Sequence, residues 1–224
     1  MLKFRKEKEY ITSRLQKANL QISPKDIYRN LFANGLDSLR FLKNKKVAIK
    51  FENLNLTENE KNPIVFISIH SGAFEILHRV IGTQPTNLIV SEFRNKKLDK
   101  FLTNTRQTQN LKIVKDYELS KILKNAIRNK ENLAVMADQS KHGGENFDIL
   151  GDSIPLFFKL PLMANRLGAS LVFFRTFKKN AEHVIRFERV YKPKSEIDKN
   201  EIAKMIESWV LEHPEQWAWN YRGD

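Results

Sequence analysis

A chain of 224 residues, 41% hydrophobic and 29% charged, is long enough and apolar enough for one globular domain with a sizeable core. It has no cysteine, which excludes disulfides and thiolate chemistry. It has no apolar run near the roughly 18 residues of a membrane span and no secretory leader pattern at its start, so a protein kept in the cytosol or lying on a membrane is expected. The formal net charge of +13 attracts anionic partners such as nucleic acid, anionic lipid, a phosphorylated substrate or an acidic protein. The same excess of Lys, together with abundant Asn, is also what an AT-rich genome encodes.

Residues 1–22 form a basic, mildly amphipathic segment. Leu2, Phe4, Ile11, Leu15 and Leu20 are set among six Lys and Arg. Either a helix lying on a membrane or an ordinary surface helix fits that pattern. Ser23-Pro24 reads as an N-cap followed by proline at the first helical position, opening a helix that runs to about Lys43. Residues 52–62 are polar and read as a loop. Pro63 to Ile69 is an apolar run with the length of a buried strand. After a turn at His70, Phe74, Leu77 and Ile81 predict a helix ended by Gly82. Leu88-Ile89-Val90 predicts a short strand, and Leu98, Phe101 and Leu102 mark a basic helix. Leu119, Ile122, Leu123, Ala126 and Ile127 give an i, i+3, i+4, i+7, i+8 stripe. Leu133 to Ala137 predicts a second buried strand, ending at Asp138-Gln139 and followed by the glycine-rich His142-Gly143-Gly144. A helix from Pro161 to Leu167 stops at Gly168. A strand at Leu171–Phe174 follows, and a last helical stripe runs from Ile202 to Val210. Strands alternating with helices predict an α/β fold, one domain with a mostly parallel central sheet and helices on both faces.

Two polar constellations stand at strand ends. His70-Ser71-Gly72-Ala73-Phe74-Glu75 puts a titratable base after a buried strand, a glycine to turn the chain and a carboxylate five residues on. An acid on one ring nitrogen fixes a histidine's tautomer so that the other nitrogen can take a proton from a hydroxyl. With 26 acidic residues in the chain, the spacing alone carries little. His183 and Glu188 repeat it inside a strand-like alternation, where i and i+5 face opposite sides. The second constellation is Asp138-Gln139. In open α/β sheets, sites gather at the carboxyl ends of strands, so both constellations belong on one rim. Between them, residues 92–130 hold eleven Lys and Arg against four Asp and Glu. No metal constellation is visible, since His142 and His213 lack partners at ligand spacing.

In order along the chain, these features resemble the late lipid A acyltransferases, the lauroyl/myristoyl transferases within the lysophospholipid acyltransferase superfamily. His70, Gly72, Phe74 and Glu75 match the family's His-x4-acid motif. Phe93-Arg94-Asn95 through Asp99 and Arg106 match its basic block. Asp138-Gln139, Leu150-Gly151 and Arg166-Leu167-Gly168-Ala169 match the next three. Pro214-Glu215-Gln216-Trp217-Ala218-Trp219 with Arg222 matches its closing motif. The blocks span residues 23–222, and Asp138-Gln139 stands where the glycerol-phosphate acyltransferases typically carry a Pro-Glu-Gly block.

The resemblance implies a lysophospholipid acyltransferase-like fold, with a catalytic core over 23–224. It implies transfer of a fatty acyl group from an acyl carrier protein thioester to a hydroxyl of an anionic glycolipid, a lipid A precursor or related envelope lipid. It also implies work at the cytoplasmic face of an inner membrane, with no cofactor and no metal. His70 would be the general base and Glu75 its orienting partner. Arg106 would stabilise the oxyanion or clamp an acceptor phosphate. Asp138 and Gln139 would bind substrate, Asp138 by positioning the acceptor or Arg106. Trp217 and Trp219 alternate as packing residues do. The competing class, a nucleic-acid-binding protein, rests on charge alone, without a helix-turn-helix, an aromatic RNA-binding motif or zinc spacing, so no nucleic-acid partner is expected.

Overall fold

The computed structural model describes residues 2–42, 46–58, 60–81, 84–92, 95–116, 119–138 and 144–219. Gly82, Phe93, Arg94, Gln139, His142, Gly143 and Arg222 lie outside the described residues.

The two apolar runs become the middle of a sheet. β2 (Ile64–Ser68) is buried along its whole length, and β5 (Asn132–Met136) nearly so. Near-continuous apolar strands are what a parallel sheet covered on both faces requires. With β1 (Ile49–Glu52), β3 (Thr86–Val90), β4 (Leu111–Lys115), β8 (Ser170–Lys179) and β9 (Glu182–Tyr191), they form a seven-stranded sheet in the order β1-β9-β8-β2-β5-β3-β4. The strands from β8 to β4 run parallel, and β9 returns antiparallel to β8. β6 (Glu145–Ile149) and β7 (Asp152–Leu156) form a separate hairpin. Its turn, Leu150-Gly151, has positive φ at both residues, 55° and 72°, as a two-residue hairpin turn needs.

The sheet alternates its two faces. Val65, Ile67, Leu133, Leu171 and Phe173 point into a core shared with helices α1 (Leu2–Lys17), α2 (Pro24–Leu42), α6 (Leu119–Asn129), α7 (Lys159–Arg166) and α8 (Lys199–Glu212). Phe66, Leu88, Ala134, Val172 and Phe174 point the other way, where α4 (Phe74–Ile81) adds Ile81. The single α/β domain with helices on both faces is therefore present. Ser23 begins α2 as expected: its hydroxyl and the Asp26 side chain and backbone cap one another.

Several elements differ from the sequence reading. Part of the stretch read as loop, 52–62, holds the end of β1 and a short helix, α3 (Asn55–Glu58). β4 and the β6–β7 hairpin were not visible as strands, because their burial is partial or interrupted. α1 packs one face into the core, as a surface helix does. Ile11 and Leu15 are fully inside the core, and Arg14 is buried with them. Among the described residues, no helix is long and apolar enough to cross a membrane.

Candidate active site

β2 and β5 pair with Val65 opposite Leu133 and Ser68 opposite Met136. The same register carried past the strand ends sets His70 opposite Asp138. Asp138 accepts from the His70 backbone N–H at 3.0 Å, and its Oδ1 lies 2.8 Å from His70 Nδ1. Its other oxygen, Oδ2, accepts from Trp217 Nε1 at 3.0 Å. Burial alone would raise the Asp138 carboxyl's pKa. Its interactions with His70 and the Trp217 donor outweigh that and hold the group below the usual carboxylate range. Asp138 is therefore an ionised acceptor, so Nδ1 carries the hydrogen and the opposite ring nitrogen, Nε2, is the basic one.

The Nδ1 partner is thus not Glu75, which the sequence assigned to hold the ring. Glu75, in the first turn of α4, is held by Arg106, the last residue of α5 (Lys96–Arg106). Arg106 Nε donates to Glu75 Oε2 at 2.8 Å, and Nη2 donates to Oε1. A carboxylate at a helix start and a cation at a helix end each complement the local dipole, and the forked geometry is the strong form of such a pair. Asn95 caps α5 and so fixes where Arg106 falls. The Phe74 ring meets His70 edge-on, 4.7 Å between centroids.

The turn between base and helix depends on Gly72. Its φ is +57°, and a Cβ there would sit 2.8 Å from the Thr176 carbonyl oxygen of β8. A side chain fits neither the conformation nor the space.

Residues 214–219 form a strap over this turn. The Gln216 side chain pairs with both backbone groups of Lys178, at 2.6 and 2.8 Å. Gly72 N–H donates to Gln216 O at 3.0 Å, and Ala218 N–H donates to His70 O at 2.9 Å. Behind the strap, Arg14 of α1 donates to Trp219 O at 2.6 Å, lies over both indole rings and pairs with Asp152 at 2.7 Å. Trp217 was read as packing only. Its sole sequence signal was that a buried indole N–H needs an acceptor.

The structure thus brings together His70, Asp138, Glu75, Arg106 and the strap. Gln139 lies outside the described residues. The decoy pair does not meet: His183 Nε2 faces Asp37 at 3.1 Å, and Glu188 accepts from Arg175 at 2.6 Å. Among the described residues, no three His, Asp or Glu cluster as metal ligands would. The arrangement is a histidine base oriented by an ionised carboxylate, beside an arginine–glutamate pair, on the carboxyl rim of a parallel sheet. It is suited to removing a proton from a hydroxyl.

A family model for bacterial lipid A biosynthesis acyltransferase matches residues 20–222. Among solved structures, the chain is similar to the crystal structure of the 1-acyl-sn-glycerophosphate (LPA) acyltransferase PlsC from Thermotoga maritima. The identity is 11%, over 95% of this chain and 97% of that one, with a TM-score of 0.48. No curated protein matches the sequence. Matched by the family model from residue 20 to residue 222, the chain belongs to the bacterial lipid A biosynthesis acyltransferase family and is an acyltransferase acting on lipid substrates.

Proposed function

We propose that this enzyme moves a fatty acyl chain from an acyl carrier protein thioester to a hydroxyl of a lipid A precursor or closely related anionic glycolipid, working as a peripheral protein at the cytoplasmic face of an inner membrane. The observation that carries the mechanism is the 2.8 Å contact between His70 Nδ1 and Asp138. With Nδ1–H held, Nε2 takes the proton of the acceptor hydroxyl as its oxygen attacks the thioester carbonyl. Asp138 stabilises the imidazolium that forms. The imidazolium then returns the proton to the departing thiolate. Asp138 is thereby the orienting residue, in place of the role of positioning the acceptor or Arg106 that the family resemblance implied. Glu75 and Arg106 form the adjoining wall. We assign Arg106 to the negative charge at the site, the oxyanion or an acceptor phosphate, with Glu75 fixing its fork.

The basic character of the chain supports anionic partners on both sides of the reaction, an acidic carrier protein and a phosphorylated glycolipid. Lys97 and Lys100 are exposed on α5, the helix that ends at Arg106, which favours α5 as the place where the carrier docks. The reading is tested by incubating the purified protein with acyl carrier protein thioester, or separately with acyl-coenzyme A, and a tetra-acylated lipid A precursor or a lysophospholipid, then weighing the products. An added acyl mass on the glycolipid with the carrier donor is expected. Acylation of the lysophospholipid alone would reassign the acceptor, and no acylated product from either donor would overturn the reading.

A further inference from the structure

α2 carries two unlike faces. Ile27, Asn34 and Ser38 are buried against the protein. Phe32, Leu36 and Leu39, spaced i, i+4, i+7, form an apolar stripe on another side, exposed by 70%, 41% and 41%. A Cβ built on Gly35 would meet no atom within 4 Å, so the space beside the stripe is open. At 100° per residue, Lys25, Arg29 and Arg40 fall on or next to the stripe, and all three are exposed. Arg29 and Arg40 pair with Asp26 and Asp37 of the neighbouring turn, but exposed pairs of this kind bind weakly. Asp37 is also committed to Lys178 at 2.6 Å and to His183.

We propose that this face of α2 docks on an anionic lipid bilayer. The inference rests on the reading that the acceptor is a membrane lipid, and it names the surface through which the enzyme reaches that lipid. An apolar stripe flanked by cations is the composition of a helix lying in a membrane interface. A second copy of the chain is the poorer occupant. A two-fold contact sets a patch against itself and would press Lys25, Arg29 and Arg40 of one molecule against the same cations of the other. α1, another basic helix, has turned Ile11, Arg14 and Leu15 inward, so the buried side of α1 is already occupied by protein. Position adds a second argument. α2 packs on α4 and on the 3-10 turn Pro214–Gln216, the elements on either side of the His70 turn. A bilayer against α2 therefore adjoins the site.

Phe32→Gln/Leu36→Gln/Leu39→Gln tests the surface. Co-sedimentation of the full chain with vesicles of equal parts phosphatidylglycerol and phosphatidylcholine should show at least about a tenfold loss of partitioning for the variant, with an unchanged circular dichroism spectrum. Leu167→Gln removes an equally exposed leucine beside the start of β8, at the end of the sheet away from His70, and should bind as wild type. Equal binding by the triple variant, or equal loss from Leu167→Gln, overturns the proposal. So does a wild-type dimer that the triple variant splits, which would give the face to a second copy. Should the triple variant not fold, Lys25→Gln/Arg29→Gln must weaken binding to the anionic vesicles and leave binding to pure phosphatidylcholine unchanged. Activity on a detergent-dispersed acceptor separates the two readings. If wild type transfers acyl groups there, failure of vesicle binding counts against the α2 surface alone. If it does not, the acyltransfer reading fails first.

Discussion

His70 and Asp138 are 68 residues apart in sequence and adjacent in space, because parallel neighbours β2 and β5 end at the same level and each continues two residues further. His70 and Asp138 stand as one extra rung of the sheet. Their geometry is set by backbone register before any side-chain choice is made. This gives His70→Ala and Asp138→Asn a shared outcome. Each should lower kcat by about 10²–10⁴ and leave the fold intact. A steady-state assay on both variants checks this, and near-wild-type turnover in Asp138→Asn would return the orienting role to Glu75.

Trp217→Phe keeps an aromatic ring under the strap but removes the 3.0 Å donor to Asp138. A hydrogen bond to a charged acceptor is worth about 1.5–3 kcal/mol. Part of that should surface as roughly a tenfold loss of kcat with KM little changed, and the acid limb of the pH–rate profile should move upward as the Asp138 carboxylate loses support. Trp219→Phe is the companion measurement. Its indole donates to Pro214 O rather than to Asp138, so its pH profile should stay in place.

Glu75 and Arg106 are both largely buried, with side chains 16% and 8% exposed. Removing one partner breaks a largely buried charge pair, and Glu75→Gln or Arg106→Met should each cost about 3–5 kcal/mol in urea unfolding. The double variant should cost clearly less than the two together, a coupling that a double-mutant cycle reads directly. Additive losses would show that the pair is not a unit.

Stability should fall as pH drops below 7. Burial holds the His183 and His213 imidazoles below the usual 6.5, and for His183 it outweighs the favourable Asp37 contact. An unfolded chain then takes up protons near pH 6.5 that the folded chain refuses, so unfolding gains with acidity through that window. The carboxylates of Asp138, Asp37 and Glu212 are held low. Their contribution persists through that range and is lost only as pH falls below about 4. Thermal melts between pH 7.5 and 5.5 should show a falling Tm, with a shallower slope in His183→Gln.

Much of the site was legible in the sequence. The polar residue after each apolar run marked a strand end, and Gly72 marked the turn between them. The partnership was not legible. Glu75, five residues on, was the visible candidate for the ring, whereas Asp138 reaches it through the order β2-β5, which local pattern does not encode. Arg106 was picked out by the family resemblance, but its pairing with Glu75 depends on how α5 crosses α4. β4 has only one fully buried residue, so it lacked the apolar run that betrayed β2. Trp217 and Trp219 alternate along the chain, which suggested packing, and the donor that matters was a single indole N–H.

The strap also bears on the order in which the molecule becomes competent. Arg14 and the Trp219 carbonyl, which close the structure behind the site, are 205 residues apart. Contacts that distant form only after the chain between them has been made. A nascent chain that has emerged past residue 138 already holds base and carboxylate. It still lacks Gln216 on β8, the Ala218 amide on the His70 carbonyl and the indole donor on Asp138. Catalytic readiness therefore waits for residues 214–219, long after base and carboxylate have been made.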